Sequence, residues 1–325
     1  MTRRSLILGL FAGLAGGMTM ASNDAAAQGS QVTTRVILGT ATPGGGFPLY
    51  GGAVVEAVHE ADPSLVIEPR NTKGSTENVP LLEAGQLDLG LVQGEVAYEA
   101  LSGIGRAPAD LKILAAMYST AGMFVVRADS PVRSIADLEG KKVAFGARGS
   151  GLVILARYVL DGMGLDRDKD FGAVFLDKAG DGPAMVLDGR VAALWGGGVG
   201  WPGFVAVAEA PAGARFIAPT AEDAARIRAK HAFLKPLTVA PGSYPGQTAP
   251  IESVGSWSFI MTRPGLDDDV AYRLARALHL AEADLARRLD QARETTAANT
   301  EAAAPRLELI HPGVLRYLRE IDVAR

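Results

Sequence analysis

Short apolar runs alternate with amphipathic stretches from residue 35 onwards, and this alternation constrains the fold more than any other feature of the chain. Residues 35–40, 65–68 and 87–92 are apolar runs that predict β-strands. Residues 49–60 carry apolar side chains at helical spacing, and Ser75 is placed to cap a second helix. Strands and helices that alternate in this way form a parallel sheet covered by helices on both faces. The sequence therefore predicts an α/β fold.

A second set of strands and helices of similar size follows the first. Its predicted strands are residues 142–145, 173–176, 191–195 and 214–218, and its predicted helices are residues 152–163 and 184–189. Two such sets agree with the two domains expected for 325 residues. The chain would cross between the lobes at residues 123–128 and return along the alternating run at 254–261. We expect lobe 1 to comprise residues 28–128 and 249–325, and lobe 2 to comprise residues 129–248.

The N-terminal segment, residues 1–27, has the three parts of a cleavable secretory signal peptide. Arg3 and Arg4 supply a positive start, residues 6–21 form a short apolar stretch, and three alanines ending at Ala27 form a cleavage site. A membrane anchor is the alternative. A spanning helix needs about 20 strongly apolar residues, however, and four glycines interrupt this stretch. We expect cleavage after Ala27.

Export would place the mature protein in the periplasm. Residues 2–6 (TRRSL) also resemble a twin-arginine export signal. Paired arginines occur in ordinary signal peptides too, so both export routes stay open. Because the chain has no cysteine, its mature N-terminus cannot carry a lipid thioether, and we expect a freely soluble product.

The composition excludes several classes of function. Lysine and arginine number 32 against 36 aspartates and glutamates, so there is no basic excess to bind nucleic-acid phosphates. The absence of cysteine excludes disulfides, thiol catalysis, iron–sulfur clusters and zinc–thiolate sites. We therefore expect no nucleic-acid partner.

Three loops that lead from a strand into a helix are the candidate binding elements. They cover residues 42–46, 70–78 and 146–151, and each is rich in small and polar residues. In open α/β sheets, ligands bind beyond the carboxyl ends of the strands. The free N–H groups and the positive dipole end at a helix start favour an anion. Three such loops in corresponding places indicate a shared cleft that accepts an anion.

Arg148, in the third loop, is the candidate for a direct charge contact. A guanidinium can grip a carboxylate with two hydrogen bonds, and we expect the carboxylate of the solute near Arg148. A solvated surface arginine is an equally good interpretation of the same residue. Arg70 and Lys73, in the second loop, leave the same two possibilities open.

Motifs of enzymes find little support. Residues 198–203 fit the dinucleotide pattern G-x-G-x-x-G, but Trp201 and Pro202 would obstruct a close approach of the pyrophosphate. The four histidines are scattered, and neither a Walker A loop nor a G-x-S-x-G nucleophile elbow is present. Trp201, like Trp195 and Tyr244, sits beside glycine or proline, where an aromatic ring lines a cleft or packs in the core.

A series of short motifs, taken together, resembles the TAXI (TRAP-associated extracytoplasmic immunogenic) solute receptors. The series comprises GGGFPLYGGA at residues 44–53, GSTENVPLL at 74–82, GQLDLG at 85–90, QGEVAY at 93–98, GARGSG at 146–151, YPGQ at 244–247 and HPG at 311–313. Each motif alone is weak. Together they follow the family order along nearly the whole chain after the predicted signal peptide.

This resemblance implies a two-lobed type II periplasmic-binding-protein fold, in which each lobe is a mostly parallel sheet flanked by helices and a hinge joins the lobes. It implies a monomeric receptor, not an enzyme, that captures a small organic anion and delivers it to the membrane subunits of a TRAP-type secondary transporter. Neither a cofactor nor a metal is implied. Carried over residue by residue, the expected solute-binding residues are Gly45, Gly46, Phe47, Ser75, Asn78, Gln93, Arg148, Gly149 and Ser150.

Two departures from the family pattern bear on the solute. Gly46 stands where a hydroxyl residue is common, and Leu152 and Val153 stand where threonine and arginine are frequent. Fewer hydrogen bonds and a more apolar wall would follow, which favours a carboxylate less polar than glutamate. Two other functions stay open: a binding protein that feeds an ABC permease or a membrane sensor, and a secreted enzyme on the same scaffold.

Overall fold

The computed structural model describes residues 33–324, and the predicted signal peptide lies outside them. The described chain contains ten strands. They are β1 (Thr34–Gly39), β2 (Leu65–Arg70), β3 (Leu89–Val92), β4 (Lys112–Arg127), β5 (Lys142–Ala147), β6 (Gly172–Leu176), β7 (Ala193–Gly197), β8 (Ala214–Ile217), β9 (Lys235–Val239) and β10 (Ile251–Thr262).

Hydrogen bonds connect these strands in the order β2-β1-β3-β10-β4-β7-β5-β6, with β8 also on β4 and β9 also on β10. The two ends of this series are parallel: β1 pairs with β2 and β3, and β5 pairs with β6 and β7. The long central strands β4 and β10 are antiparallel to each other and to their other neighbours. Two parallel sheets are thus joined by two antiparallel crossing strands.

Eleven α-helices cover the strands of the described chain. They are α1 (Gly46–Ala61), α2 (Ser75–Glu83), α3 (Gly94–Ser102), α4 (Gly151–Met163), α5 (Gly182–Leu187), α6 (Pro202–Ala208), α7 (Ala221–Lys230), α8 (Asp268–Leu280), α9 (Glu282–Arg288), α10 (Ala297–Ala303) and α11 (Pro312–Glu320). Short 3-10 helices occur at Ala136–Leu138, Ala179–Asp181, Asp290–Glu294 and Leu307–Leu309. None of the helices between residues 33 and 324 combines the length and the apolar character of a membrane span.

The apolar cores divide the molecule into two lobes. One core runs from Ala121 to Val254 and defines lobe 2, which holds β5–β9 and α4–α7. Two further cores draw on β1–β3 and on the chain after β10, and these define lobe 1. The change of core lies between Tyr118 and Ala121 on β4, several residues from the predicted bounds of the lobes. Those bounds (28–128 with 249–325, and 129–248) remain a proposal.

Each helix that leads to the candidate site forms for a local reason. On α1, Tyr50, Val54 and Val58 recur every four residues and are buried against the sheet. Ahead of α4, the Ser150 side chain accepts a hydrogen bond from Leu152 N at 3.2 Å and caps the helix. These contacts fix the positions of both helix starts.

The crossing strands approach each other closely where Gly255 of β10 pairs with Ala121 of β4, next to the carbonyl group of Thr120. A Cβ atom on Gly255 would overlap the carbonyl oxygen of Thr120. Glycine therefore permits the pairing that brings Thr120 to the junction of the lobes. The adjacent Ser119 is tied to Glu294, whose carboxylate accepts from Ser119 N at 2.6 Å and from its hydroxyl.

The structure confirms the predicted α/β class and most of the predicted elements. The expected cap at Ser75 is wrong: Gly74 precedes α2, Ser75 is the first helical residue, and its hydroxyl accepts a hydrogen bond from Gln93 N at 3.0 Å. The sequence pattern of residues 267–289 predicts one helix, but the segment forms two, α8 and α9. Helices α3, α6, α7 and α10 and strand β9 were not predicted.

Candidate functional site

A cavity lies between the two lobes, at the carboxyl ends of the parallel strands. Its empty volume is about 560 Å³, which includes open solvent at its mouth. The residues that line it follow β1, β2 and β3 in lobe 1 and β5, β6 and β7 in lobe 2, with two from crossing strand β4. They are Ala41, Thr42, Gly45, Gly46, Phe47, Lys73, Gly74, Ser75, Gln93, Tyr118, Thr120, Gly146, Ala147, Ser150, Gly151, Leu152, Ala179, Gly197 and Trp201.

Four helices begin at this cavity. Gly46, Ser75 and Gly151 are the first residues of α1, α2 and α4, and Gln93 is the residue that precedes α3. Each helix start carries the equivalent of roughly half a positive charge and backbone N–H groups without helical partners. The cavity therefore has the electrostatics of an anion site.

Gln93 provides the clearest unmet hydrogen-bonding capacity in the cavity wall. The residue is 3 % exposed, and its side-chain nitrogen Nε2 has no hydrogen-bond partner. Leaving a buried donor unpaired costs about 1–3 kcal/mol. Gly151 makes room for this side chain, because a Cβ there would lie 2.4 Å from Cβ of Gln93 if the side chain did not move. Nε2 of Gln93 is therefore a buried donor at the cavity wall, and a ligand that accepts a hydrogen bond would give it a partner.

Lys73 is the one charged residue among those that line the cavity, and it is exposed to solvent. The lining contains no aspartate, glutamate or histidine. Its remaining polar side chains are neutral: Thr42, Ser75, Gln93, Thr120 and Ser150, together with two aromatic donors.

Three aromatic rings form one wall of the cavity. Phe47 meets Tyr118 edge to face, with 6.4 Å between ring centroids, and Trp201 stands opposite the start of α1. Burial raises the pKa of Tyr118, so its phenol stays neutral and available as a donor. At Gly46, a Cβ would lie 3.3 Å from the Tyr118 hydroxyl and 3.1 Å from the Trp201 ring. The aromatic pair thus occupies space that a hydroxyl side chain at this position would need.

Lobe 1 and lobe 2 touch at three places around the cavity. At the first, the carbonyl of Gly149 accepts hydrogen bonds from Thr76 N at 3.2 Å and from the Thr76 hydroxyl at 3.0 Å. Neither Gly74 nor Gly149 has room for a side chain: their Cβ atoms would lie 2.9 Å from the Gly149 oxygen and 2.6 Å from the Lys73 oxygen, respectively. The glycines let the two loops pack backbone against backbone.

The second contact joins residues 42–44 of lobe 1 to the 3-10 helix of lobe 2. Ala179 N donates to the Thr42 hydroxyl at 3.2 Å, and Gly180 N donates to the Pro43 carbonyl at 3.4 Å. Thr42 and Ala179 both line the cavity. This contact closes the cavity on the side opposite the first.

The third contact joins α3 of lobe 1 to lobe 2. The Glu99 carboxylate accepts from the Tyr158 hydroxyl at 2.8 Å and pairs with Arg157. Tyr98 stacks on Phe233 with 4.1 Å between ring centroids. These contacts join the two lobes beside the cavity.

The structure brings together six of the nine residues that the sequence singled out. Gly45, Gly46, Phe47, Ser75, Gln93 and Ser150 all line the cavity. Gly149 stands behind them in the first contact between the lobes. That these residues bind a solute remains a proposal.

Asn78 is placed differently. It is fully buried, and its amide nitrogen donates to the carbonyls of Gly39, Thr40 and Leu91 at 2.8–3.3 Å. Its Oδ1 accepts from the Thr72 hydroxyl at 2.7 Å. All of its hydrogen-bonding capacity serves to hold the ends of β1 and β3 in place, and it does not line the cavity.

Arg148 also lies away from the cavity lining. Its side chain is exposed, and its guanidinium carbon lies 5.7 Å from the ring centroid of Phe175. The expected contact between Arg148 and a solute carboxylate gains no support from this placement, and the surface interpretation fits it better.

Several lining residues were missed or left open by the sequence analysis. Tyr118 and Thr120 were missed because the crossing between the lobes was predicted at residues 123–128, whereas the change of core lies between Tyr118 and Ala121. Trp201 does line the cavity, whereas Trp195 and Tyr244 are buried in the core of lobe 2. Pro202, which follows Trp201, is the local sequence signal that a helix begins directly after Trp201.

The model of one protein family matches residues 38–321 of the chain, which is most of its length and all of the cavity lining. The chain belongs to the NMT1-like family. The match spans both lobes, so the family pattern covers the whole two-lobed unit, not one half of it.

Solved structures extend the comparison for this NMT1-like chain. A protein of Bordetella bronchiseptica RB50 is 14 % identical, with a TM-score of 0.55, and the match covers 89 % of this chain and 98 % of that one. A structure described as a periplasmic transporter is 16 % identical, with a TM-score of 0.52, and the match covers 79 % of this chain and 87 % of that one.

The alkanesulfonate-binding protein SsuA from Xanthomonas axonopodis pv. citri, bound to MOPS, is 18 % identical, with a TM-score of 0.48 and coverage of 90 % and 94 %. At identities of 14 % and 16 %, the likeness to the Bordetella protein and to the periplasmic transporter concerns the fold alone. That likeness agrees with the α/β fold of two joined sheets described above.

Proposed function

We propose that this NMT1-like protein is a periplasmic receptor that captures a small organic carboxylate in the cavity between its lobes. The observation that carries the proposal is the buried Nε2 of Gln93, which lacks a partner at a cavity where four helices begin. A carboxylate would accept from this amide and from the free N–H groups of the helix starts.

The character of the lining supports binding without chemistry. With no aspartate, glutamate or histidine in the wall, Ser75, Thr120 and Ser150 have no carboxylate or imidazole base beside them within the cavity, and the lysine of the lining is exposed to solvent. A hydrolase on this scaffold would need such a pair. The protein is therefore proposed to be a receptor and not an enzyme.

The contacts between the lobes support a mechanism of capture by closure. The cavity leaves space for a compact solute only, and the loop at Gly149 and the 3-10 helix at Ala179 narrow its sides. Opening of these contacts would widen the access of a solute to the cavity. Contacts from both lobes are then made in the closed state alone, and the solute stabilises that state by its differential affinity.

The partner follows from the motif series rather than from the cavity. The resemblance to the TAXI receptors favours delivery to the membrane subunits of a TRAP-type secondary transporter. Export, cleavage after Ala27 and a monomeric receptor belong to the same proposal. An ABC permease is the second candidate partner. Uptake into vesicles that carry the membrane subunits separates the two: an ion gradient without ATP should drive it in the first case and ATP in the second.

Calorimetry on the purified mature chain tests the proposed solute class. The panel consists of acetate, propionate, butyrate, pyruvate and L-lactate, with succinate, L-glutamate and 2-oxoglutarate as dicarboxylates and butyramide as an uncharged control. We expect at least one carboxylate to bind and butyramide not to bind. Mass spectrometry of small molecules that co-purify with the native protein extends the search. Co-purification of a neutral solute, or equal binding of butyrate and butyramide, would refute the proposal.

A pair of glutamine variants links this binding to the cavity. Gln93→Ala should weaken binding of the carboxylate by about tenfold, since a hydrogen bond to a charged group contributes roughly 1.5–3 kcal/mol. Gln86 is exposed and lies outside the cavity, so Gln86→Ala should bind like the wild type. Equal affinities for the two variants would show that Gln93 does not contact the solute.

A further inference from the structure

Glu95 is a buried carboxyl group directly behind the cavity wall. It lies in the first turn of α3, two residues after Gln93, and no part of it is exposed. The Ser256 hydroxyl of crossing strand β10 donates to its Oε1 at 2.6 Å. Its second oxygen, Oε2, is buried and has no hydrogen-bond partner.

Glu95 and Gln93 are neighbours as well as close in sequence. The Gln93 amide is among the groups that lower the pKa of Glu95, although neither Nε2 of Gln93 nor Oε2 of Glu95 completes a hydrogen bond. Burial outweighs these effects and raises the pKa of Glu95 to about 7. At neutral pH the group is poised between its protonated and ionised forms.

The charged groups on the packed elements leave Glu95 without a cationic partner. On α3 itself, Glu99 raises the pKa of Glu95 further, and Arg157 of α4 is engaged by Glu99. On α2, Glu77 accepts from the amide of Lys73, and Glu83 pairs with an arginine.

Strand β10, the third element packed against α3, carries a single ionisable residue, Glu252. Its carboxylate accepts from the Thr238 hydroxyl at 2.8 Å. The groups that face Glu95 from β10 are therefore neutral, and Ser256 is the one that contacts it. A buried carboxyl without a cation is stable chiefly in its neutral form.

We propose that Glu95 is a positioning residue of the solute site and that a carboxylate solute binds together with a proton that Glu95 holds. The inference rests on the proposed function, because it needs an anion beside Gln93. When ionised, Glu95 repels that anion and competes for the Gln93 amide. When protonated, it carries no charge to repel the anion and is a weaker acceptor, so Nε2 of Gln93 is left to the solute.

The direction of the coupling follows from this arrangement. An anion in the cavity disfavours the ionised form of Glu95 and so raises its pKa above about 7. Binding at neutral pH then takes up protons, and affinity falls as the pH rises through 7. For a rise of one unit, the affinity at pH 8 is about fivefold lower than at pH 6, and about 0.4 proton is taken up at pH 7.

Calorimetry from pH 6 to pH 8 tests the inference, with the monocarboxylate of the panel that binds the wild type most tightly as the probe. Two buffers of different ionisation enthalpy at each pH give the number of protons taken up. Glu95→Gln keeps the shape and the Ser256 contact of the protonated form. We expect it to bind with an affinity independent of pH and with no proton uptake. Glu83→Gln, on α2 and outside the cavity lining, is the matched control and should behave like the wild type.

Glu95→Asp keeps a titratable group and should restore part of the pH dependence, which a purely structural role would not do. Wild-type binding without proton uptake would overturn the inference and leave the proposed function standing. Retention of the full pH dependence in Glu95→Gln would also overturn it, because another group would then hold the proton. If no member of the panel binds, the proposed function fails and the inference fails with it.

Discussion

The loop around Gly149 offers a way to perturb closure of the lobes at a residue that does not itself line the cavity. A Cβ at Gly149 would lie 2.6 Å from both the carbonyl oxygen and Cβ of Lys73, across the interface between the lobes. The backbone of Gly149 does not lie in the left-handed region, so alanine introduces no conformational strain of its own. Gly149→Ala should therefore act through the approach of the two lobes alone.

The magnitude follows from the hydrogen bonds at this contact. The loops must separate by roughly 0.8 Å before the new Cβ reaches an ordinary contact of 3.4 Å. The bonds from Thr76 N and its hydroxyl to the Gly149 carbonyl, at 3.2 and 3.0 Å, would then be lost. Each contributes about 0.5–1.5 kcal/mol. The closed state should lose about 1–3 kcal/mol, and carboxylate binding should weaken by about 5- to 100-fold.

Calorimetry with the panel carboxylate that the wild type binds measures this loss, and thermal unfolding shows whether the fold is intact. Gly52→Ala is the matched control: Gly52 lies inside α1, and a Cβ there would meet nothing within 4 Å. It should leave the affinity unchanged and stabilise the protein by about 0.5–1 kcal/mol. Wild-type affinity in Gly149→Ala would refute the view that this contact belongs to the solute-bound state.

Three further predictions concern single side chains. Asn78→Ala should lower the free energy of unfolding by about 3 kcal/mol, because buried carbonyls at the ends of β1 and β3 lose their donor; denaturant unfolding measures this, and a loss under 1 kcal/mol would contradict it. Arg148→Ala should bind the panel carboxylate within about twofold of the wild type, since Arg148 is exposed and outside the lining; a tenfold loss in calorimetry would return Arg148 to the site. Because of Glu95, the free energy of unfolding should fall as the pH rises from 4.5, the ordinary pKa of the group, to about 7. Over that interval the folded protein keeps a proton that the unfolded chain has released. Unfolding curves should show that the wild type loses about 3 kcal/mol of unfolding free energy over that interval relative to Glu95→Gln. Parallel pH profiles of stability for the two proteins would contradict this prediction.

The loops at the carboxyl ends of strands could be predicted because glycine, serine and helix starts leave local signals. Gly45, Ser75 and Ser150 were singled out in this way and line the cavity, which lies beyond the carboxyl ends of parallel strands. The lining from β4 could not be found. Tyr118 and Thr120 belong to one long strand whose change of core depends on pairing with β10, which is distant in sequence.

Arg148 and Asn78 show that residue type alone does not determine whether a side chain lines the cavity. A guanidinium in a glycine-rich loop has the right chemistry for a carboxylate, but the direction of the side chain depends on Phe175, which lies on another strand. An asparagine after a glycine-serine pair fits a ligand contact equally well. Asn78 is instead buried beneath the ends of β1 and β3, and this position depends on how those two strands pair in the sheet.

The charge balance of the cavity bears on the number of carboxylates that a solute can carry. Helix starts at Gly46, Ser75 and Gly151 supply partial positive charges, and the charged group of the lining, Lys73, is exposed. A protonated Glu95 adds no charge. The cavity lining thus contains no buried cation that could pair with a second carboxylate. A second carboxylate would lie against Phe47, Leu152 or Trp201, where its desolvation would go without a partner, at a penalty of several kcal/mol. The cavity therefore favours a monocarboxylate whose other atoms are few and apolar over glutamate or 2-oxoglutarate. The apolar Leu152 and Val153, which follow the glycine-serine-glycine loop where the TAXI pattern often has polar residues, point in the same direction.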